Sequence, residues 1–293
     1  MRRLKGHRGN VECLAFHPNG LLLATGDNGG MVRIWSVLDG KCLHKTRLEE
    51  MLGAVAFSPQ GDHFAAGTYD GQVALYRFEA QTNCLELLDQ WAYQGRITSL
   101  AFSPNGKWLT WLSYSILRRV EVGRLHDTRH LNPTGDGFCI RYTPDGSQLV
   151  RVGLGPRLLL NDPETLKARG RITHGDENGC WSVAFGPNGE IMVLGLGGGV
   201  QVWNFPQRRL LKAFLDHKKT VSTVALSADA SRLITAGYDN RVNVYEFTPS
   251  GSITRLMASY YWRVGRLFEV ALCPDGTLAA CAAARGVVLW DVE

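Results

Sequence analysis

Short apolar stretches and turn residues alternate along this chain in a unit that returns seven times. Ala15-Phe16-His17-Pro18-Asn19-Gly20 reappears as Ala56-Phe57-Ser58-Pro59-Gln60-Gly61 and as Ala101-Phe102-Ser103-Pro104-Asn105-Gly106. Later copies are Arg141-Tyr142-Thr143-Pro144-Asp145-Gly146, Ala184-Phe185-Gly186-Pro187-Asn188-Gly189, Ala225-Leu226-Ser227-Ala228-Asp229-Ala230 and Ala271-Leu272-Cys273-Pro274-Asp275-Gly276. Taking the large residue as anchor (Phe16, Phe57, Phe102, Tyr142, Phe185, Leu226, Leu272), successive copies lie 41, 45, 40, 43, 41 and 46 residues apart. Seven copies fill residues 1–293 and are read as one domain.

Two residues before each anchor stands an apolar side chain: Leu14, Val55, Leu100, Ile140, Val183, Val224 or Val270. Apolar positions interleaved with small residues at period two predict a strand packed on both sides. Pro with Gly two residues later then makes a tight turn, since Pro presets φ and Gly tolerates positive φ. A second strand follows (Leu21–Thr25, His63–Gly67, Arg232–Ala236), then a polar or glycine turn. A third strand ends at Trp35, Tyr76, Val120, Leu160, Trp203, Tyr245 and Trp290, and a weaker fourth is expected at Lys41–Thr46 and Cys84–Asp89. Arg208–Lys219 could place Leu210, Leu211, Phe214 and Leu215 on one helical face, but its place in the repeat makes it a fourth strand. Four antiparallel strands per repeat predict an all-β ring of seven blades, a propeller.

Composition narrows the field without naming a function. Thirty-three glycines in 293 residues suit a turn-rich chain, and a 20% charged share excludes the disordered classes. The net charge of +5 is too small to argue for nucleic acid. No apolar run reaches the ~18 residues of a membrane span, and Met1-Arg2-Arg3-Leu4-Lys5 leads into no apolar run of a signal peptide. Seven cysteines without a C-x-x-C pair predict small buried thiols in a reducing cytoplasm.

Gly6-His7 before the first strand, with Val32-Arg33-Ile34-Trp35-Ser36, Val200-Gln201-Val202-Trp203-Asn204 and Val288-Leu289-Trp290-Asp291 closing third strands, resembles the WD40 repeat family across essentially the whole chain. The resemblance implies a buried network of loop His, strand Ser/Thr, turn Asp and third-strand Trp that braces a blade. Blade 6 is nearest complete with His217, Thr235 and Asp239, Tyr245 standing for the Trp. Blade 1 has His7, Thr25 and Trp35 with Gly29 in the Asp place, and blade 2 keeps only Asp70. These residues are expected to be structural. The seventh repeat stops after its third strand, so residues 1–5 are expected to pair with that strand and close the ring.

Motifs that carry chemistry are few. Gly195-Leu196-Gly197-Gly198-Gly199 resembles a phosphate loop, but a strand follows it where a helix is needed, so it is read as a turn. His174-Gly175-Asp176-Glu177-Asn178, and His126 with His130, lack metal-ligand spacing; no metal, no cofactor and no catalytic residue is predicted.

What rises above this background is the rim where loops enter successive blades. Tyr260, Tyr261, Trp262 and Arg266, with Phe268, mark the entry to blade 7; Trp91, Tyr93 and Arg96 mark the entry to blade 3. Phe138 and Trp181 begin blades 4 and 5 at the place of Phe268, and Tyr69 and Tyr238 precede turn aspartates expected on the same face. Tyr, Trp and Arg couple apolar area to a polar handle and dominate interfaces, although any one ring could instead plug a gap between blades. The leading reading is a non-catalytic scaffold that binds a peptide or protein at the rim and channel mouth, alone as a monomer or within a larger complex. The alternatives are a nucleic-acid-binding propeller, against which the scattered basic pairs argue, and a propeller enzyme.

Overall fold

Each Pro-x-Gly turn joins two strands, and the computed structural model shows seven four-stranded antiparallel sheets built around those turns. It describes residues 1–79, 81–113, 116–131, 137–248 and 253–292. Among them there is no helix. The inner strands, which surround a central channel, are Val11–Phe16, Leu52–Phe57, Ile97–Phe102, Gly137–Tyr142, Cys180–Phe185, Val221–Leu226 and Leu267–Leu272. Arg209–Phe214 is a strand paired with Gly199–Asn204, as its place in the repeat requires, not a helix.

The seventh sheet runs Arg2–Leu4, Gly286–Asp291, Leu278–Ala283, Leu267–Leu272 from rim to channel. Arg2, Arg3 and Leu4 pair with Leu289, Val288 and Val287, so the strand expected at residues 1–5 lies on the last blade. Leu4 is buried, which ties this short strand down by packing as well as by its ladder.

Blades stack on one another through apolar faces. One cluster joins Val32 and Ile34 of blade 1 to Leu52, Val55 and Phe64 of blade 2; another joins Ile234 and Val244 of blade 6 to Val270, Cys281 and Trp290 of blade 7. Of the cysteines, Cys13, Cys139, Cys180, Cys273 and Cys281 are buried, as expected of small thiols among apolar residues, whereas Cys42 and Cys84 are exposed. Both begin outer strands, whose far edges face solvent. All seven are free thiols.

Candidate functional site

Inner strands are edge strands, so their channel-side amides need partners other than a ladder. Four of them find one in the preceding blade. The amides of Ile140, Val224 and Val270 donate to Ser99 Oγ (3.1 Å), Ser182 Oγ (3.2 Å) and Thr223 Oγ1 (3.3 Å). The amide of Leu14 donates to Glu269 Oε2 at 2.9 Å, which latches blade 1 to blade 7. Glu269 also faces Arg141 of blade 4 at 4.0 Å. Burial pushes the Glu269 carboxyl up, against the pull of Arg141 and the Leu14 amide. Arg141 stands where six repeats carry alanine, and the pair spans the channel from blade 4 to blade 7.

Every inner strand also contains a bulge. The ladder to the second strand skips one residue in each blade: Glu12, Gly53, Thr98, Phe138, Trp181, Ser222 and Phe268. A bulge re-aims the extra side chain, and all seven line one central channel of about 1270 Å³. The sequence carries the signal. Val11 and Leu14, Val221 and Val224, and Leu267 and Val270 are buried three residues apart, where an unbroken strand would bury residues two or four apart.

The bulge residues and their neighbours build a mouth with two arcs. On one, Phe138 stacks on Trp181 (centroids 4.2 Å, 12° between planes), and Trp181 meets Tyr238 edge-on at 5.8 Å. Arg266 then lies over Tyr238 at 4.1 Å and reaches Phe268 at 5.4 Å. On the other, Arg96 lies over Tyr69 at 4.1 Å. Each Tyr is twelve residues past its anchor and each Arg six before the next, so the two cation–π pairs are repeats of one another. Glu12 stands between them. Burial raises its carboxyl to about 7, while Asn10 and the charges of Arg266 and Arg96 hold it down.

The remaining rim candidates sit elsewhere. Trp91 is inside the outer strand Cys84–Ala92, not in a loop, and stacks on Trp111 at 5.6 Å; Tyr93 packs on Trp111 at 5.9 Å. Tyr260 ends the outer strand Ile253–Tyr260 and stacks on Trp262 at 5.1 Å, and Trp262 tilts against Trp290 at 4.7 Å. These four half-buried rings wedge the entries to blades 3 and 7, with Tyr93 and Trp111 at the repeat positions of His7 and Thr25. Tyr261 is exposed.

The bracing networks differ in detail from expectation. In blade 1 the Trp35 indole donates to Thr25 Oγ1 (2.8 Å), Thr25 pairs with His7 Nε2 (2.7 Å), and His7 Nδ1 with Asp27 Oδ2 (2.6 Å). Asp27, not position 29, plays the acid. Ending the second strand instead of sitting in the turn, it accepts the Gly29 and Met31 amides at 2.9 and 3.0 Å. In blade 6 His217 contacts Thr235 (2.7 Å) and Asp239 (3.0 Å), while the Tyr245 hydroxyl donates to Asp216 (3.0 Å). Blade 2 keeps Thr68 as well as Asp70, the two hydrogen-bonded directly.

The glycine-rich turn is filled from within: Gly198 donates to Asp176 Oδ2 at 2.7 Å. His174 beside it is buried, and burial lowers its pKa. The side chain of His126 lies outside the described residues. Among the described residues no three His, Cys, Asp or Glu side chains group as a metal site would need.

The repeat period, the bulged inner strands and the His–Thr–Trp network together define a repeat propeller, and the chain belongs to the WD40 repeat family. The WD domain, G-beta repeat family matches residues 1–36, 40–77, 84–113 and 208–246. Such propellers generally serve as non-catalytic scaffolds that bind protein partners. Similar proteins include telomerase protein component 1 of Rattus norvegicus, 25% identical over 98% of this chain and 11% of that protein. The periodic tryptophan protein 2 homolog of Dictyostelium discoideum is 25% identical over 85% of this chain and 23% of its own length. The ribosome biogenesis protein bop1-A of Xenopus laevis is 23% identical over 81% of this chain and 32% of its own length. The chain thus spans about a tenth to a third of these curated relatives.

Proposed function

We propose that this chain is a non-catalytic interaction scaffold that docks a peptide or protein segment at the channel mouth. The observation that carries the reading is the coupled set Tyr69, Arg96, Phe138, Trp181, Tyr238, Arg266 and Phe268, which concentrates interface-type residues on one opening. Arg96 and Arg266 are exposed while the rings are half-buried, so polar edges are presented over apolar faces. Trp91, Tyr93, Tyr260 and Trp262 contribute by holding the rim in shape, and Tyr261 extends the surface. Relatives named for ribosome biogenesis and as a telomerase component are in keeping with work inside a larger assembly.

The test is affinity capture with the wild type and with a triple Arg96→Ala, Trp181→Ala, Arg266→Ala variant, each checked for the same circular dichroism and melting curve. Loss of the captured proteins from a folded variant is the expected result. An unchanged set of captured proteins would remove the mouth as the docking site.

A further inference from the structure

Glu12 is the one acidic side chain among the seven bulge residues, and it is flanked by two guanidinium groups. The charges of Arg266, in the loop entering blade 7, and of Arg96, in the loop entering blade 3, both act on it. Each guanidinium sits over a tyrosine ring at 4.1 Å, an interaction with the ring face that uses none of its N–H donors in a hydrogen bond to that ring. Edge-on N–H pairs match a planar carboxylate in bidentate fashion. Beside this charged arc lies the apolar one, Phe138 on Trp181 at 4.2 Å. Within the same channel, Arg141 of blade 4 approaches Glu269 of blade 7 at 4.0 Å.

We propose that the mouth takes an acidic peptide segment, with an Asp or Glu side chain between Arg96 and Arg266 and a neighbouring apolar side chain against Phe138 and Trp181. Glu12 is then the internal competitor for the two guanidinium groups, and it takes up a proton as the partner's carboxylate arrives. This rests on the mouth being the docking site. The class of partner follows from charge complementarity: two cations over an apolar wall suit a carboxylate beside an apolar residue, whereas a nucleic-acid strand needs a basic track along its backbone.

The sign of the pH dependence follows from linkage. A partner carboxylate set beside Glu12 disfavours its ionised form, so the complex binds more protons than the free protein and affinity rises as pH falls. Facing Glu12 are Arg96, Arg266, Tyr69 and, on its own strand, Cys13; the neighbouring acids Asp27 and Glu269 act on Cys13 as Glu12 does. Burial pushes the Cys13 thiol and the Tyr69 phenol up, away from neutrality. Glu269 is held by the Leu14 amide and Arg141, and Asp27 by His7. His7 titrates at the far side of Asp27 and lies outside the lining of the mouth. Burial raises the Glu269 carboxyl as well, so the Glu12→Gln variant is what separates the titration of Glu12 from that of Glu269.

The experiment is fluorescence anisotropy with a fluorescein-labelled Glu-Glu-Phe-Glu-Glu amide, and with Lys-Lys-Phe-Lys-Lys as its opposite, titrated with the wild type, Glu12→Gln, Arg96→Ala/Arg266→Ala and Trp181→Ala. With Glu12 titrating near 7, the acidic peptide should bind the wild type roughly tenfold tighter at about pH 6 than at about pH 8. Glu12→Gln should bind at the higher pH as the wild type does at the lower, with no pH dependence left. The double arginine variant should lose binding at both. Equal affinity at the two pH values in the wild type overturns the role of Glu12, while sensitivity to Trp181→Ala would leave the mouth as the docking site. Binding indifferent to the arginine and Trp181 substitutions overturns the mouth reading itself. Preference for the lysine peptide or for a single-stranded oligonucleotide, or no binding of the acidic peptide, overturns the partner class.

Discussion

Thr25 shows how much one hydroxyl can hold. It accepts from the Trp35 indole and pairs with His7 Nε2; burial favours the neutral imidazole, whose Nδ1–H donates to Asp27 and whose Nε2 accepts from the Thr25 hydroxyl. Thr25→Val keeps the shape but leaves the Trp35 donor and His7 Nε2 unsatisfied, at about 1–3 kcal/mol for each buried orphan. A urea melt should show a lower midpoint with an unchanged slope. The same site sets a pH dependence. Burial lowers the His7 pKa from 6.5, against the hydrogen bond and charge of Asp27. The unfolded chain therefore binds the proton that the folded one refuses, so stability is full above about pH 6.5 and falls as pH drops through it. Replacing His7 by Gln should flatten that fall, read from melting temperatures across the same range. The His and the Thr were legible from the repeat, but the acid was not. Asp27 sits two residues earlier than the phase of Asp70 and Asp239, and only the turn geometry shows that its carboxylate arrives at the same imidazole nitrogen.

The strand is the scale at which the site is made. A side chain's direction along a strand follows parity, and one bulge reverses it, so the strands read from period two were correct while the outlook of residues four before the anchor was not readable from parity alone. Gly53 holds the one bulge place with no side chain, and the reason is contact. A Cβ there would run into the Ile97 carbonyl oxygen and come within 2.7 Å of the Tyr69 ring. Gly53→Ala should cost about 1–3 kcal/mol in overpacking and push Tyr69 from under Arg96. A lowered melting temperature, with weaker binding of the acidic peptide than in the wild type, is the expected pair of results. The aromatic candidates divide by the same logic. Trp181 stands on a bulge and meets the channel; Trp91 stands in an outer strand and fills the seam beside Trp111.

For the whole molecule the decisive event is closure. Leu4 and the ladder of Arg2–Leu4 on Gly286–Asp291 cover an edge that would otherwise be open, and Glu269 binds the Leu14 amide across the same seam. Removing residues 1–5 forfeits the burial of Leu4, about 1.5–3 kcal/mol, and hydrogen bonds of about 1 kcal/mol net each. A fall in melting temperature is expected on scanning calorimetry; melting at the full-length temperature would mean the strand does not hold the ring. Charge acts at this scale too, and here it is diffuse: the basic pairs Arg118-Arg119, Arg208-Arg209 and Lys218-Lys219 lie on different blades.

Seven blades, their order and the strands within them follow from local information: a period of about 43 residues, a two-residue alternation and a Pro-x-Gly turn each act within a few neighbouring positions. Ring closure adds what no local pattern contains. It sets Arg96 and Arg266, more than half the chain apart, on either side of Glu12, lays Arg141 across to Glu269, and separates rings that face the mouth from rings that wedge the blades. Both groups draw on the same aromatic residue types near the entries to the blades. The difference lies in which surface is covered by the next blade, and burial by a distant neighbour is a property of the closed ring.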